Sequence, residues 1–408
     1  IIGVGQMGSE IVATIGEMDG MRVAATVDVT SARAAAAHAQ SRRPAKVVET
    51  DDIDAAEKAV AEGRVVASSD YRIATRLPQI DVIVDATGST EMGALVSLDA
   101  IHHKKHIAMM SVECDVTIGP ILNRMASDAG IIYTMAAGDE PAAIMELYRF
   151  ARSMGFEVVC TGKGKNNPLN IHANPDDVRA KADERRMSAK MLCEFVDGSK
   201  TAIEMAAVSN ATGLVPDIRG MHAAKATVPE LNKVFIPRAD GGILEKSGVV
   251  DFAIGVHPGV FLIAKTDNPC MVNGLSQRDM GFGPYYTLYR PYHLCSIEVP
   301  LTCAKCVLYG ETSGSPGEKL VSECIAITKR DLKEGERLDG IGEYCYRGSI
   351  DLAGAAIREN LLPLGLAKGC RVKADIKRDT VLTYDMVEID EDTPLRQLRR
   401  LQDALREK

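Results

Sequence analysis

The 408-residue chain has no apolar run approaching the roughly twenty residues that cross a bilayer, so helical membrane spans are not expected. It also lacks an excess of positive charge: 48 Lys and Arg stand against 56 Asp and Glu, a net charge of −8. A nucleic-acid surface normally needs a basic face, so neither nucleic acid nor a membrane is expected as a partner. Cys303 and Cys306 form a C-x-x-C, but no second ligand pair completes a zinc knuckle. The ten cysteines therefore read as structural or incidental thiols of a reducing, cytoplasmic compartment. There is no G-x-S-x-G, no H-E-x-x-H and no phosphate-loop motif, and no period repeats. The first residue is Ile rather than Met, and only two apolar residues precede the first turn. The sequence is therefore expected to have lost its own beginning.

What the chain does have stands at its front. Ile1-Ile2-Gly3-Val4-Gly5-Gln6-Met7-Gly8 carries three glycines in G-x-G-x-x-G spacing. Ile1 and Ile2 read as the end of a strand, and Ser9 to Met18 has apolar residues at helical spacing. Gly3 permits the tight strand-to-helix turn, Gly5 lets the backbone approach a pyrophosphate, and Gly8 lets helix and strand pack closely. The helix N-terminus offers unpaired N–H groups to the phosphates. A second apolar run, Met21 to Val29, carries Asp28 near its end, about twenty residues on, where an acid meets a ribose hydroxyl. Gly3, Gly5, Gln6, Met7, Gly8 and Asp28 are the expected cofactor-binding residues.

Strands and helices alternate to about residue 137. Val65–Ser68, Ile80–Ala86, Lys105–Met110 and Ile131–Met135 read as strands, and Met92–His103 and Ile118–Ala129 as helices. Such alternation predicts an α/β domain with a Rossmann-type doubly wound parallel sheet, binding its ligand at the strands' carboxyl ends. Thr87, Gly88 and Ser111 fall on that edge beside Gly5 and Asp28. The polar stretch Arg42–Gly63 reads as a partly helical, solvated insertion. A chain this long exceeds one ordinary core. We expect a dinucleotide-binding domain over 1–137, an α+β catalytic and dimerisation domain over 138–320, and a small β-rich module with a charged terminal helix over 321–408. The charge of Thr393–Lys408 reads as a solvated face.

In the second domain, helix Ala142–Met154 is followed by strand Phe156–Thr161 and then the densest polar stretch, Gly162–Asn170, read as a loop. Reduction of a carbonyl needs a donor beside the oxygen that becomes negative, and Lys163 and Lys165 are suitable. Asn166, Asn167 and Asn170 are placed to orient hydroxyls; a plain solvated turn is the competing reading. A second cluster, Gln277–His293, holds Arg278, Arg290 and His293 among four tyrosines. Arg grips anions bidentately and His exchanges protons near neutrality; an interface segment would have the same composition. Glu140, Glu204, Asp217 and Asp251 are hard-cation donors without diagnostic spacing, so the metal ligands stay unassigned.

The glycine turn, Asp28, the Asp85-Ala86-Thr87-Gly88-Ser89 segment and the Lys-bearing stretch resemble homoserine dehydrogenase. Thr328-Lys329-Arg330-Asp331-Leu332, Gly335, Leu362-Pro363-Leu364-Gly365-Leu366, Lys368-Gly369 and Leu382-Thr383 resemble the SAF fold. The pairing is similar to the 1-deoxy-D-xylulose 5-phosphate reductoisomerase-like enzymes. That resemblance implies a homodimer that reduces and isomerises a small phosphorylated sugar in isoprenoid precursor synthesis. It also implies NADPH; an oxygen-ligated Mg²⁺ or Mn²⁺ would assist such an isomerisation as a Lewis acid, with no ligand set evident in the sequence. Asp28 by itself favours NADH, whereas Ser31 and Arg33 are placed to receive a 2′-phosphate. Homoserine or small polyol and sugar-acid dehydrogenases, and a non-catalytic nucleotide sensor, are the alternative expectations.

Overall fold

The structure is a computed structural model that describes residues 1–43, 46–389 and 392–406. It divides into two compact units. The first is Ile1–Ala142 with Leu294–Lys319 and Asp392–Lys408; the second is Ala143–His293 with Leu320–Glu391.

The first unit has the doubly wound α/β architecture expected. Its elements run α1 (Gln6–Ile15), β1 (Ala25–Val27), α2 (Ser31–Ala36), β2 (Val47–Glu49), α3 (Ile53–Ala61), β3 (Val65–Ser68), α4 (Tyr71–Arg76), β4 (Val82–Asp85), α5 (Thr90–His102), β5 (His106–Met109), α6 (Val112–Asp128) and β6 (Tyr133–Met135). All strand pairs are parallel: β1-β3-β2 on one side and β4-β5-β6 on the other. Ile2 bridges them, pairing with Val27 and Asp85, so the two residues before the glycine turn act as the central strand. Ile11, Val12 and Ile15 of α1 bury their apolar stripe beside Val84, Ala108 and Val299.

Two sequence expectations need correction here. The Arg42–Gly63 stretch holds β2 as well as a helix, and β2 extends the sheet; Pro44 and Ala45 lie outside the described residues. The terminal charged segment is helix Pro394–Arg406, and its face is not merely solvated; Glu407 and Lys408 lie outside the described residues. Leu395, Leu398, Arg399 and Gln402 are buried against α6, with the Gln402 side chain accepting the Ile121 amide and donating to Thr117 O. Periodicity in charge hid this, because the long Arg and Gln side chains bury their stems while satisfying backbone groups.

The second unit begins within α7 (Glu140–Ser153). It continues with β7 (Glu157–Lys165), α8 (Pro175–Glu184), α9 (Ala189–Val196), α10 (Ser199–Thr212), β8 (Val215–Pro216), β9 (Ala224–Lys225), β10 (Val249–Ile254), β11 (Val260–Lys265) and β12 (Tyr285–Arg290). The sheet is mixed, ordered β12-β11-β7-β10-β8, with β9 also on β10. β7 runs four residues past the predicted end at Thr161, so Lys163 and Lys165 are strand residues, not loop residues. Glycine is the reason. A Cβ on Gly162 would lie 2.0 Å from Asp251 O, and one on Gly164 1.3 Å from Val256 O. Only glycine admits those neighbouring backbones, and T-G-K-G-K then sends every lysine to one face.

Residues 320–389 group with this unit rather than standing apart. The antiparallel strands Ser322–Thr328 and Tyr346–Leu352 pack on α10. The Asn210 side chain accepts from the Val321 and Ser322 amides, and Ser199 Oγ accepts from the Gly348 amide. The anchor is Lys329, whose side chain is 1% exposed: its Nζ donates to Asp197 Oδ2 at 3.1 Å, to Ala173 O at 2.8 Å and to Glu343 O. Removing one member of such a pair leaves a buried, uncompensated charge. Lys329→Met is therefore expected to cost about 3–5 kcal/mol in urea unfolding, and the Lys329→Met/Asp197→Leu double variant to recover much of it.

Candidate cofactor and substrate sites

At the first unit's carboxyl edge the glycine turn has the required geometry. Gly3 has φ +86°, and a Cβ on it would lie 2.6 Å from Ala86 O; a Cβ on Gly8 would lie 2.0 Å from Gly3 O. Gly5 caps α1 with nothing within 4 Å of where a Cβ would be, which leaves open space over the helix N-terminus. These three positions fit a pyrophosphate for three different steric reasons. Gln6 is exposed, with its amide on Glu10, and Met7 is half-buried.

Asp28 sits beside this turn, but its carboxylate is used by the chain. Its Oδ2 accepts the Val4 amide at 2.9 Å, its Oδ1 the Val29 amide at 2.8 Å, and Arg33 Nε lies 3.4 Å away. Arg33 stays 57% exposed, while Ser31 Oγ donates to Glu49 rather than facing Asp28. Thr87, Gly88 and Ser111 come together around Asp85, the last residue of β4. Its Oδ1 accepts the Thr87 amide at 2.9 Å and the Ser111 hydroxyl at 3.3 Å, and Ser111 Oγ accepts the Gly88 amide at 3.0 Å. Burial pushes the Asp85 carboxyl up to about 6, against those hydrogen bonds. The missed signal was an Asp closing an apolar strand ahead of Thr-Gly-Ser.

In the second unit, Lys163 Nζ is paired with Glu204 Oε2 of α10, both buried. By sequence Glu204 reads as a hard-cation donor, and 41 residues separate it from Lys163, a gap without periodicity to reveal the pair. Two residues along the same face, Lys165 Nζ donates to Phe195 O of α9. Burial, and then the neighbouring Lys163 charge, push Lys165 down to about 8, with Glu204 opposing. Lys165 is thus an ammonium at pH 7 that loses its proton just above. Val260 is opposite both Lys163 and Arg290 in the antiparallel ladders, so the three form one row. Arg290 therefore shares the lysines' face two strands away, about 10 Å from Lys163. Its guanidinium lies 3.4 Å from Glu146 and stacks on Tyr292 at 4.9 Å.

The other predicted residues divide. Asn167 donates to Asn166 Oδ1 and accepts from Arg185, next to Lys165 in sequence. Asn170 shapes a turn through the His172 amide, and Arg278, just past the helix Pro269–Ser276, is tied back to Gly274 O. His293 follows β12, half-buried. Asp251 accepts the His222, Ala223 and Phe252 amides, and Asp217 accepts the His222 ring and the Glu245 amide, so both carboxylates serve the backbone around them.

Residues 138–299 match the family model described as oxidoreductase DRL, catalytic domain. No curated protein matches the chain. Similar solved structures include a probable dehydrogenase from Thermotoga maritima, at 13% identity and TM-score 0.37, covering 76% of this chain and 88% of that one. Another is scyllo-inositol dehydrogenase from Lactobacillus casei with bound NAD(H) and scyllo-inositol, at 13% identity and TM-score 0.35, covering 64% and 72%. The family model places the chain's chemistry at the level of an oxidoreductase. No helix among the described residues is long and apolar enough to cross a membrane.

The two lysines make a specific electrostatic prediction. Removing the cation, Lys163→Met, raises the Lys165 titration above about 8; removing the anion, Glu204→Gln, lowers it. The pH dependence of Lys165 acylation, followed by peptide mass analysis, reads both directions.

Proposed function

We propose that this chain is an NADPH-dependent oxidoreductase that reductively isomerises 1-deoxy-D-xylulose 5-phosphate to 2-C-methyl-D-erythritol 4-phosphate. The observation that carries the substrate class is the shared sheet face. A buried ammonium near neutrality, Lys165, and Arg290, which shares its sheet face two strands away, suit a carbonyl at one end and an anionic group at the other. The family model adds the reaction class.

When bound, the nicotinamide supplies a hydride to the carbonyl carbon. Lys165 hydrogen-bonds the carbonyl oxygen and gives it a proton as it becomes an alkoxide. Glu204 keeps Lys163 charged, and that charge holds Lys165 at an acidity close to working pH. Arg290 grips the phosphate bidentately and fixes the distance to the reacting carbon. Asn166 and Asn167 orient the substrate hydroxyls. Arg33, with Asp28 already bound to backbone amides, receives the cofactor's 2′-phosphate. Mg²⁺ or Mn²⁺ is proposed to assist the isomerisation as a Lewis acid.

The test follows NADPH absorbance with 1-deoxy-D-xylulose 5-phosphate, with and without Mg²⁺ and Mn²⁺. Turnover is expected. Lys165→Met is expected to lower kcat about 100-fold or more, and Arg290→Met to raise KM with a smaller effect on kcat. Arg33→Ala should raise KM for NADPH and leave that for NADH unchanged. No NADPH oxidation under any of the metal conditions removes the substrate assignment. Turnover that survives Lys165→Met removes the acid.

A further inference from the structure

The first unit holds a cation-lined cavity that the redox reading does not use. Its lining residues come from the segments preceding β4 and β5, residues 76–81 and 103–106, together with Val307 of the helix Val299–Tyr309, so it opens on the amino edge of the sheet. The glycine turn, Thr87 and Ser111 lie on the carboxyl edge, at the other end of the same strands. It is an open cleft of about 460 Å³.

Its chemistry is one-sided. Arg76, Lys104 and Lys105 line it together with His103 and His106, and the lone carboxylate on the wall is Asp81. Arg76 is held by Asp99 through Nε and Nη2, at 3.2 and 3.0 Å, so Nη1 stays outside that pair. Lys104 Nζ donates to Ala129 O at 2.6 Å, which leaves its charge uncompensated. His103 Nδ1 lies 2.8 Å from Asp99 O. His106 Nδ1 accepts the Ile132 amide at 3.0 Å, which leaves the proton on Nε2 as a donor.

Lys105 is the anomaly. It is only 7% exposed, yet among the described residues its Nζ has no hydrogen-bond acceptor and no carboxylate within ion-pair reach. Burial pushes its ammonium below the ordinary value, and Asp81 opposes this only at longer range. The stem of Lys105 is buried while its ammonium is only partly desolvated, so a head group without a protein acceptor is left open to an oxyanion. The cations placed at the ends of α4 and α5 do complement those helices' negative ends. That role needs charge near the carbonyls and does not account for Lys105, whose Nζ has no acceptor among the described residues.

We propose that this cavity is a binding site for a phosphate group, separate from the catalytic face, with Lys105 as its central contact and Arg76, Lys104 and His106 as further donors. The ligand is inorganic phosphate or a small phosphomonoester, since the volume exceeds that of a single phosphate.

Calorimetric titration of the full chain at constant ionic strength tests this, using inorganic phosphate, glycerol phosphate and acetate. The assay contains saturating NADPH, which keeps phosphate from the glycine turn. Saturable phosphate or phosphoester binding at millimolar concentration or tighter is expected; the stronger of the two identifies the source. Lys105→Met, which keeps the side-chain length, should weaken it at least tenfold, and Lys104→Gln, at an exposed position, at least threefold. Arg290→Met, which removes the phosphate contact of the catalytic proposal, should leave it unchanged, which separates this site from that one. No saturable binding, equal binding by Lys105→Met when folded, or acetate binding as tightly as phosphate each overturn the assignment. If Lys105→Met does not fold, undiminished binding by Lys104→Gln overturns it alone.

Discussion

One carboxylate organises the second unit. Asp197 ends α9, accepts the Ser199 amide at the start of α10, and receives Lys329 from a segment 132 residues away. The charged pair is essentially without water, with side-chain exposures of 1% and 0%. Burial pushes the Asp197 carboxyl up, and Lys329 and Ser199 oppose that shift. Charges in this setting tolerate little displacement, because each loses its compensation if the other moves. The angle between α9 and α10 is therefore fixed by an interaction that neither helix contains by itself. Those helices supply Phe195 O to Lys165 and Glu204 to Lys163. The C-terminal strands thus reach the lysines' electrostatics without touching them.

The first unit's constraint is steric rather than electrostatic. Gly3 and Gly8 bring the central strand, α1 and the Ala86 backbone closer than any side chain permits. The loop over that turn is then held by Asp85 through Thr87 and Ser111. A buried carboxyl is a costly brace, and burial does raise this one. It is retained here with three groups on one edge depending on it, directly or through Ser111.

Much of this was legible in order of locality. The glycine turn, β3, and the strand–helix alternation follow from neighbours a few residues apart, and the structure matches them closely. The ends of β7 and the docking of helix Pro394–Arg406 were misread for the same reason. Gly162 and Gly164 signal a turn by composition, and an Arg-rich segment signals solvent. Each takes its meaning from a partner remote in sequence: the Asp251 and Val256 carbonyls in one case, Thr117 and Ile121 in the other. Lys163, Lys165 and Arg290 were identifiable as chemistry-bearing residues. Their sharing one face was not, since it depends on Val260 standing between two strands in a particular register.

The division of labour between the two lysines explains why the face carries a pair. A single buried ammonium beside Glu204 would be pinned as a cation and would make a poor acid, its proton held by the ion pair. A single ammonium with neither neighbour would be lowered by desolvation alone and would hold its proton more tightly than Lys165 does. With two, Glu204 is satisfied by Lys163, and the nearby Lys163 charge acts on Lys165 as a field that Glu204 partly offsets. That field, added to desolvation, brings Lys165 to about 8. Proton transfer is most effective when the donor's acidity lies close to the working pH. Lys163 accordingly acts through its neighbour, and the alternating glycines that set both side chains on one face are what make the coupling short enough to matter.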